Sequence, residues 1–163
     1  MDGFYWLEDG VLAGSRLPGA RRRGSGYSTD TDHVEEDLAV LREQGIGAIL
    51  SLTETPLEAR ALSRAGIDAV HIPIPDMTAP SGDQIRLALA YIDRHVAERR
   101  PVVVHCLVGQ GRTGTILAAY LIRAGATTDE ALVRVRSVCP NAVENDAQVA
   151  ALRTFEAGRG WVL

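Results

Sequence analysis

The chain has 163 residues, enough for one domain with a single substantial hydrophobic core. Its formal charge of −4 gives no electrostatic reason to expect a nucleic-acid or membrane-surface partner. No stretch approaches the roughly 20 apolar residues of a membrane span, and the first residues lack the pattern of a signal peptide. We therefore expect residues 1–163 to form one cytoplasmic domain that binds neither nucleic acid nor membranes.

The first residues alternate short apolar runs with turn residues. Phe4 to Trp6 and Val11 to Ala13 are predicted as strands that meet at Asp9-Gly10, a common hairpin turn pair. Leu17 to Asp30 is rich in glycine, arginine and serine and is predicted as a loop. Within it, Arg21 to Arg23 is a charged run typical of a solvated loop, and the alternative is a grip on acidic flanks of a substrate.

A helix and a strand are predicted next. Asp32 is the predicted N-cap of a helix from His33 to Gln44, and Gly45 ends that helix. The following run from Ile46 to Leu52 is apolar and rich in β-formers, which predicts a strand.

The middle of the chain repeats this order. A short helix from Pro56 to Arg64 ends near Gly66, and Ala69 to Ile74 is predicted as a strand. Ser81 or Asp83 then begins a long helix. Its apolar residues share one face at helical spacing: Ile85, Leu89, Ile92 and Val96.

The last third begins with the valine run Val102 to Val104, a predicted strand that leads into Cys106. Helices are predicted over Arg112–Arg123, Thr128–Val138 and about 145–156. Strands that alternate with helices indicate an α/β fold, with a central, mainly parallel sheet covered by helices on both faces. In such folds the functional site lies beyond the carboxyl ends of the strands, where Cys106 is expected.

The segment 105–115, His-Cys-Leu-Val-Gly-Gln-Gly-Arg-Thr-Gly-Thr, connects that strand to its helix and is the most informative part of the sequence. Glycines at 109 and 111 allow the backbone to turn inward, so that its N–H groups surround an anion. Arg112 offers a planar fork to two phosphate oxygens, and this positive surrounding favours the nucleophilic thiolate of Cys106. The predicted phosphate-binding residues are Leu107, Val108, Gly109, Gln110, Gly111 and Arg112.

This segment resembles the signature loop of the cysteine-dependent protein tyrosine phosphatase superfamily, and most of the chain is similar to the small atypical dual-specificity phosphatases. The resemblance implies hydrolysis of a phosphomonoester through a phosphocysteine intermediate. No metal or other cofactor is expected, because Arg112 and the loop amides supply the positive charge. The other stretches that carry the resemblance are Val11-Leu12-Ala13-Gly14, Ser51-Leu52-Thr53-Glu54, Ile74-Pro75-Asp76, and Val143-Glu144 with Gln148.

Asp76 is the predicted general acid, which protonates the leaving oxygen and then acts as base toward water. It follows a predicted strand in a loop stiffened by Pro75 and Pro80, and it matches the family's acid position, about 30 residues before Cys106. The alternative is an aspartate that caps a turn or helix. Asp83 is the competing acid, although its surroundings are typical of a helix start.

Supporting roles are predicted for several further residues. His105 resembles the family histidine that holds the loop and tunes the thiolate, and Thr113 is predicted to donate its hydroxyl to the sulfur. Glu144 and Gln148 match positions that orient the hydrolytic water in related enzymes, with a solvated helix end as the alternative. Glu54 is predicted either to bond the loop or Arg112 or to be a surface charge.

The substrate is predicted from the absence of charge in the loop. Phosphoinositide phosphatases of this superfamily often carry lysines inside the loop, whereas residues 107–111 are uncharged here. We therefore expect a phosphorylated protein or peptide, with phosphotyrosine favoured, as the partner. The alternatives are a lipid, inositol phosphate or RNA 5′-phosphate substrate, arsenate reduction, sulfur transfer, or a non-catalytic phosphate-binding module. Cys139 is predicted as a small buried residue, and a redox partner of Cys106 is the alternative.

Overall fold

The computed structural model describes residues 1–28 and 31–158. Apolar runs of three or four residues form the strands β1 (Tyr5–Glu8), β2 (Leu12–Ser15), β3 (Arg21–Arg23), β4 (Gly26–Ser28), β5 (Ala48–Ser51), β6 (Asp68–His71) and β7 (Val102–His105), with the polar β3 and β4 as exceptions. The helices are α1 (Val34–Glu43), α2 (Ala59–Ala65), α3 (Gly82–Ala97), α4 (Gly111–Arg123), α5 (Thr128–Val138) and α6 (Asp146–Gly158).

One sheet contains five of these strands in the order β1-β2-β7-β5-β6. Only β1 is antiparallel to its neighbour, and the three remaining pairs are parallel. The strand β7 lies at the centre, and its three valines are fully buried because both faces of the sheet are covered. The predicted α/β fold with a mainly parallel sheet is confirmed.

The helices divide between the two faces of the sheet according to the side-chain alternation of the strands. Val102 and Val104 point to the face covered by α3, α4, α5 and α6, which holds the larger core cluster. Val103 points to the opposite face, where it packs with Leu38 and Leu41 of α1 and with Ala61 of α2.

The helix ends follow local capping chemistry. Ser81 caps α3 in a reciprocal box with Gln84, so Ser81 and not Asp83 begins this helix. Gly45 and Gly66 follow α1 and α2 at positive φ, where glycine carries no Cβ penalty. Thr127 forms the equivalent box at the start of α5.

Two local predictions are wrong. The predicted loop 17–30 contains the β3–β4 hairpin, which turns at Gly24 with φ +59°. No alternation of polar and apolar residues marks it, so the sequence pattern missed it, and residues 29–30 lie outside the described residues. Asp32 does not cap α1, because it lies inside a short 3₁₀ turn, Thr31–His33, and His33 occupies the N-cap without a side-chain capping bond.

The strand order places the functional residues. The chain runs from β2 to β5 and from β6 to β7, and β7 inserts between β2 and β5. The carboxyl ends of these three parallel strands therefore meet around Cys106, at the point where the strand order reverses.

Candidate active site

The signature loop, residues 106–112, leaves the end of β7 and continues directly into α4. Cys106 is 3% exposed, and the amide of Gly109 donates a hydrogen bond to its Sγ atom at 3.3 Å. The positive end of the α4 dipole lies behind the loop, so both features favour an anion at this point.

Carbonyl groups of the loop are held by amides from neighbouring elements. The amide of Leu17, beyond β2, donates to the Leu107 carbonyl at 3.1 Å, and that of Val143 donates to the Gln110 carbonyl at 3.3 Å. Because the carbonyl and the next N–H of a trans peptide point in opposite directions, outward carbonyls turn the following amides inward. The surrounding fold therefore fixes the direction of the peptide planes that follow Leu107 and Gln110.

Gly109 is required by close approach. It has φ +85°, and a Cβ there would lie 2.6 Å from the Ser15 carbonyl carbon and oxygen. At Gly111 a Cβ would meet the Glu144 carboxylate, which is the end of a flexible side chain. The backbone of β2 therefore excludes a side chain at Gly109, whereas a side chain at Gly111 would displace Glu144.

Arg112 connects the signature loop to two carboxylates. Its guanidinium is 2% exposed, and Nη1 donates to the Ile74 carbonyl at 2.8 Å and to Glu54 Oε2 at 3.2 Å. Nη2 forms an ion pair with Asp76 Oδ1 at 2.9 Å. Arginine has five N–H donors, so Nε and the second Nη2 hydrogen remain for a phosphate.

The acid loop, residues 75–78, lies beside Arg112 and is mostly exposed. The amide of Asp76 donates to Glu54 Oε1 at 2.7 Å, so Glu54 holds both Asp76 and Arg112. Burial by itself would raise the pKa of Glu54, but hydrogen bonds from the Glu54 and Asp76 amides and from Arg112 lower that pKa below its ordinary value. The alternative that Glu54 bonds Arg112 is thereby the one that the structure adopts.

His105 lies under the loop, fully buried at the end of β7. Burial lowers the pKa of His105 to about 4, so its imidazole is neutral at neutral pH. Nδ1 lies 3.2 Å from the Cys106 carbonyl and Nε2 lies 2.7 Å from Ser51 Oγ. A carbonyl only accepts, so we place the proton on Nδ1 and assign Ser51 as the donor to Nε2.

The structure does not form the contact predicted for Thr113, whereas it places Gln148 beside Glu144 and the acid loop. The Thr113 hydroxyl is buried and has no hydrogen-bond partner among the described residues, so the predicted bond to the sulfur is not formed there. Gln148 is fully buried, accepts from the Glu144 amide at 2.8 Å and donates to the Thr78 carbonyl at 3.3 Å. Gln148 therefore connects α6 to the acid loop.

Glu144 precedes α6 and lies over Gly111. Burial and the negative charge of Asp76 raise the pKa of Glu144, although the charge of Arg112 opposes that shift. The structure therefore brings Glu144, Asp76 and Arg112 into one electrostatic group at the mouth of the loop.

A cleft of about 390 Å³ opens beside Arg112. One wall is apolar and includes Leu17, Leu57 and Leu107. Its carboxylates come from Glu54, Glu58 and Asp76, whereas Arg112 is the only basic residue among the described residues that line it. The cleft therefore offers an apolar surface with an acidic rim next to the phosphate cradle.

Sequence reasoning missed several contacts around the site. Ser51 binds His105, the Ile74 carbonyl binds Arg112, and Asn145 Nδ2 donates to the Met77 carbonyl at 2.9 Å. Only Ser51 had a usable signal, because β5 and β7 are parallel neighbours in which Ser51 and His105 end in register. The other two contacts join segments far apart in the chain.

Across residues 1–28 and 31–158, no group of three or more His, Cys, Asp or Glu side chains is arranged to hold a metal ion. In the same residues, no helix combines the length and the apolar character needed to cross a bilayer.

Known proteins resemble the chain in sequence and in fold. The family model described as "Polymorphic toxin system, DSP-PTPase phosphatase" matches residues 23–126. The crystal structure of Tk-PTP in its active form superposes with a TM-score of 0.80 and 31% identity, over 96% of this chain and 97% of that one.

Two curated relatives have different named activities. Phosphatidylglycerophosphate phosphatase PTPMT2 of Arabidopsis thaliana is 29% identical over 126 residues, which cover 74% of this chain and 55% of that protein. Dual specificity protein phosphatase 12 of Rattus norvegicus is 26% identical over 121 residues, or 72% of this chain and 35% of that protein. The chain spans about half the length of curated relatives such as the Arabidopsis protein.

The family match, the Tk-PTP superposition and the loop geometry agree with one another. The chain belongs to the DSP-PTPase phosphatase family, within the superfamily of cysteine-dependent protein tyrosine phosphatases. The resemblance stated from the sequence is thereby confirmed.

Proposed function

We propose that residues 1–163 form one catalytic domain that hydrolyses phosphomonoesters, with a phosphorylated protein, and phosphotyrosine in particular, as its substrate. The observation that carries this proposal is the convergence of Cys106, Arg112 and Asp76. Cys106 lies in a loop of inward amides, and Arg112 joins that loop to Asp76 through a contact of 2.9 Å. Nucleophile, phosphate clamp and acid thus lie at one edge of the sheet.

In the first step the Cys106 thiolate attacks phosphorus, so that an S–P bond forms while the P–O bond to the leaving group breaks. Arg112 and the loop amides bind the remaining phosphate oxygens. Asp76 gives its proton to the leaving oxygen. A bound dianion accepts from Nε and from the second Nη2 hydrogen of Arg112, beside the contact with Asp76.

In the second step water attacks the phosphocysteine. Asp76, now a carboxylate, accepts a proton from that water, the S–P bond breaks, and the Cys106 thiolate and phosphate are released. Gln148 and Glu144 are assigned to place the water, because Gln148 bonds the acid loop and Glu144 lies over the signature loop. A role for Thr113 in the departure of the sulfur stays a prediction, because its buried hydroxyl does not bond Sγ in the structure.

The protein substrate is supported by charge. The loop residues 107–111 carry no cation for a second phosphate, and the adjoining cleft has an acidic rim. Its apolar wall offers a surface for an aromatic leaving group such as a tyrosine side chain. We assign the enzyme to the cytoplasm, where a reducing environment keeps Cys106 as a thiol.

A second candidate is hydrolysis of a phospholipid monoester. The similarity to the Arabidopsis phosphatidylglycerophosphate phosphatase favours it. Against it, residues 107–111 carry no cation that would bind a second phosphate group of such a lipid.

The proposal is tested with p-nitrophenyl phosphate, with EDTA present, on the wild type and on Cys106→Ser. Since serine lacks the thiolate, we expect turnover to be lost while inorganic phosphate still binds. Appreciable turnover by the folded variant would contradict Cys106 as the nucleophile.

The substrate class is tested on the active wild type with three matched substrates: a phosphotyrosine peptide, phosphatidylglycerophosphate in vesicles and a phosphoinositide in vesicles. We expect the highest kcat/KM on the peptide. A higher value on phosphatidylglycerophosphate would overturn the protein substrate in favour of the second candidate.

A further inference from the structure

The side chain of Tyr5, in the first strand, contacts the signature loop. The hydroxyl of Tyr5 in β1 donates to the carbonyl oxygen of Gly109 at 2.6 Å, across 104 positions of sequence. Cys139 Sγ lies 3.9 Å from the same oxygen, as a second donor. A carbonyl oxygen has two lone pairs, so it can accept from both groups at once.

The sheet leaves room for this contact at one position. Tyr5 pairs with Gly14 across β1 and β2, and a Cβ at Gly14 would overlap the phenol ring. Glycine at 14 therefore lets the ring cross β2 and reach the loop. No sequence pattern predicts the contact between Tyr5 and Gly109, because Tyr5 is one aromatic residue within a predicted strand.

Both donors keep their protons at neutral pH. Burial raises the pKa of Tyr5 far above its ordinary value, and burial also raises the pKa of Cys139. The phenol and the thiol are therefore hydrogen-bond donors toward Gly109 rather than anions beside Cys106.

Anchoring the Gly109 carbonyl fixes one peptide plane of the loop. In a trans peptide the N–H of Gln110 points opposite to the carbonyl of Gly109, away from Tyr5. Gly109 lacks a Cβ and tolerates many backbone conformations, so this plane can rotate unless something holds it. The backbone amides of Leu17 and Val143 hold the carbonyls of Leu107 and Gln110, whereas side chains hold that of Gly109.

We propose that Tyr5 is a positioning residue for phosphate binding, which holds the Gly109–Gln110 peptide so that the Gln110 amide faces the phosphate, with Cys139 as the weaker second anchor. The proposal depends on an oxyanion binding in the signature loop. It does not depend on whether the substrate is a protein or a lipid.

The test is Tyr5→Phe, which keeps the ring in place and removes only the hydroxyl. One lost hydrogen bond corresponds to a change of about three- to tenfold. We expect the dissociation constant for tungstate, measured by titration calorimetry, and the KM for p-nitrophenyl phosphate to rise by that factor. A purely structural role would lower Tm and leave the tungstate constant unchanged, which would overturn the proposal.

Tyr120→Phe is the matched control. It also removes one phenol hydroxyl, but this hydroxyl contacts the exposed Glu8 at 3.3 Å, away from the loop. We expect its tungstate constant and KM to equal those of the wild type. An equal loss in both variants would mean that a general effect of removing a hydroxyl, and not the Gly109 contact, explains the result.

Cys139→Ala tests the shared acceptor. Because either donor can partly hold the Gly109 carbonyl, the double variant with Tyr5→Phe should weaken tungstate binding by more than the product of the two single factors. A double variant that equals that product would contradict a shared anchor. Calorimetry reads oxyanion binding without turnover, so this result is separate from any failure of the proposed substrate.

Discussion

The signature loop and the acid loop lie side by side, yet different kinds of contact hold them. In the signature loop, the carbonyls of Leu107 and Gln110 bond to backbone amides of neighbouring elements, and Cys106 and Arg112 are almost completely buried. In the acid loop, Asp76 is 53% exposed and depends on the side chains of Glu54 and Arg112.

The nucleophile and the general acid are therefore positioned by different parts of the structure. The position of the nucleophile follows from the sheet itself, because the ends of β2, β5 and β7 meet there. The position of the acid follows from a few side chains, which also include Asn145 and Gln148 of the α6 start. Changes to the signature loop should therefore impair binding and chemistry together, whereas changes to the acid loop should impair chemistry alone.

The largest effect is expected from Asp76→Asn. The amide keeps the shape of the side chain but cannot donate an acidic proton, so kcat should fall by about 10²- to 10⁴-fold. The alkaline limb of the pH profile, on which activity is lost with the proton of the general acid, should also disappear. The measurement is kcat and KM against pH with p-nitrophenyl phosphate and with a phosphotyrosine peptide.

Asp83→Asn is the control for that change. Asp83 lies in the first turn of α3, and its one ion pair among the described residues is with Arg86, so its variant should keep the wild-type profile. A loss that follows Asp83 and spares Asp76 would reassign the acid. A rise in KM as large as the fall in kcat would break the proposed separation of the two loops.

A smaller loss of activity is expected from Gly109→Ala. The methyl group would meet the Ser15 carbonyl at a backbone angle of φ +85°, and strain of this kind costs about 1–3 kcal/mol. We expect kcat/KM to fall by about ten- to a hundredfold and tungstate binding to weaken with it.

Gly24→Ala, in the β3–β4 hairpin, is the control for Gly109→Ala. It has φ +59° and open space around a Cβ, so it should share the stability loss from backbone strain but keep full activity. Equal activity in both alanine variants would mean that the close approach of Gly109 to β2 has no role in the site.

The smallest effect on turnover is expected from Asp37→Asn, which acts on stability instead. Asp37 is buried and accepts from Arg16, Arg21 and the Gly19 amide. Losing hydrogen bonds to a buried charged group costs about 1.5–3 kcal/mol, and among the described residues Arg16 then keeps only its ion pair with the exposed Asp2. The measurement is the free energy of unfolding in urea. Asp93→Asn is the control, because Asp93 is exposed and forms an ion pair with Arg123.

The stability lost in Asp37→Asn depends on pH. Burial would raise the pKa of Asp37, but hydrogen bonds from Arg21 and Gly19 and the charge of Arg16 lower it below its ordinary value. The stabilisation is therefore present above the ordinary value and is lost as the pH falls through the folded one. The stability difference between wild type and Asp37→Asn should shrink in acid, and a difference that grows there would contradict the assignment.

Much of the fold was predictable because its signals are local. The valine run of β7, the capping box at Ser81 and the glycines after α1 and α2 are each legible from a few adjacent residues. The signature loop belongs to the same class, since its glycines, its thiol and its arginine follow one another in the chain.

The remaining features depend on contacts between distant segments. The bond between Arg112 and Glu54 spans 58 positions and that between Tyr5 and Gly109 spans 104. Residue type shows that such groups can bond, but only the sheet order shows that they meet. The β3–β4 hairpin was missed for another reason, because three-residue polar strands lack an alternating pattern.

The central claim is that Cys106 carries the phosphoryl group during turnover. The most direct test is rapid acid quenching of the wild type during hydrolysis of p-nitrophenyl phosphate, followed by mass-spectrometric mapping of phosphorylated peptides. We predict a transient phosphate on Cys106 that forms and decays at rates compatible with turnover. Steady hydrolysis with no phosphate on Cys106 at any quench time, or with the phosphate on another residue, would contradict the account.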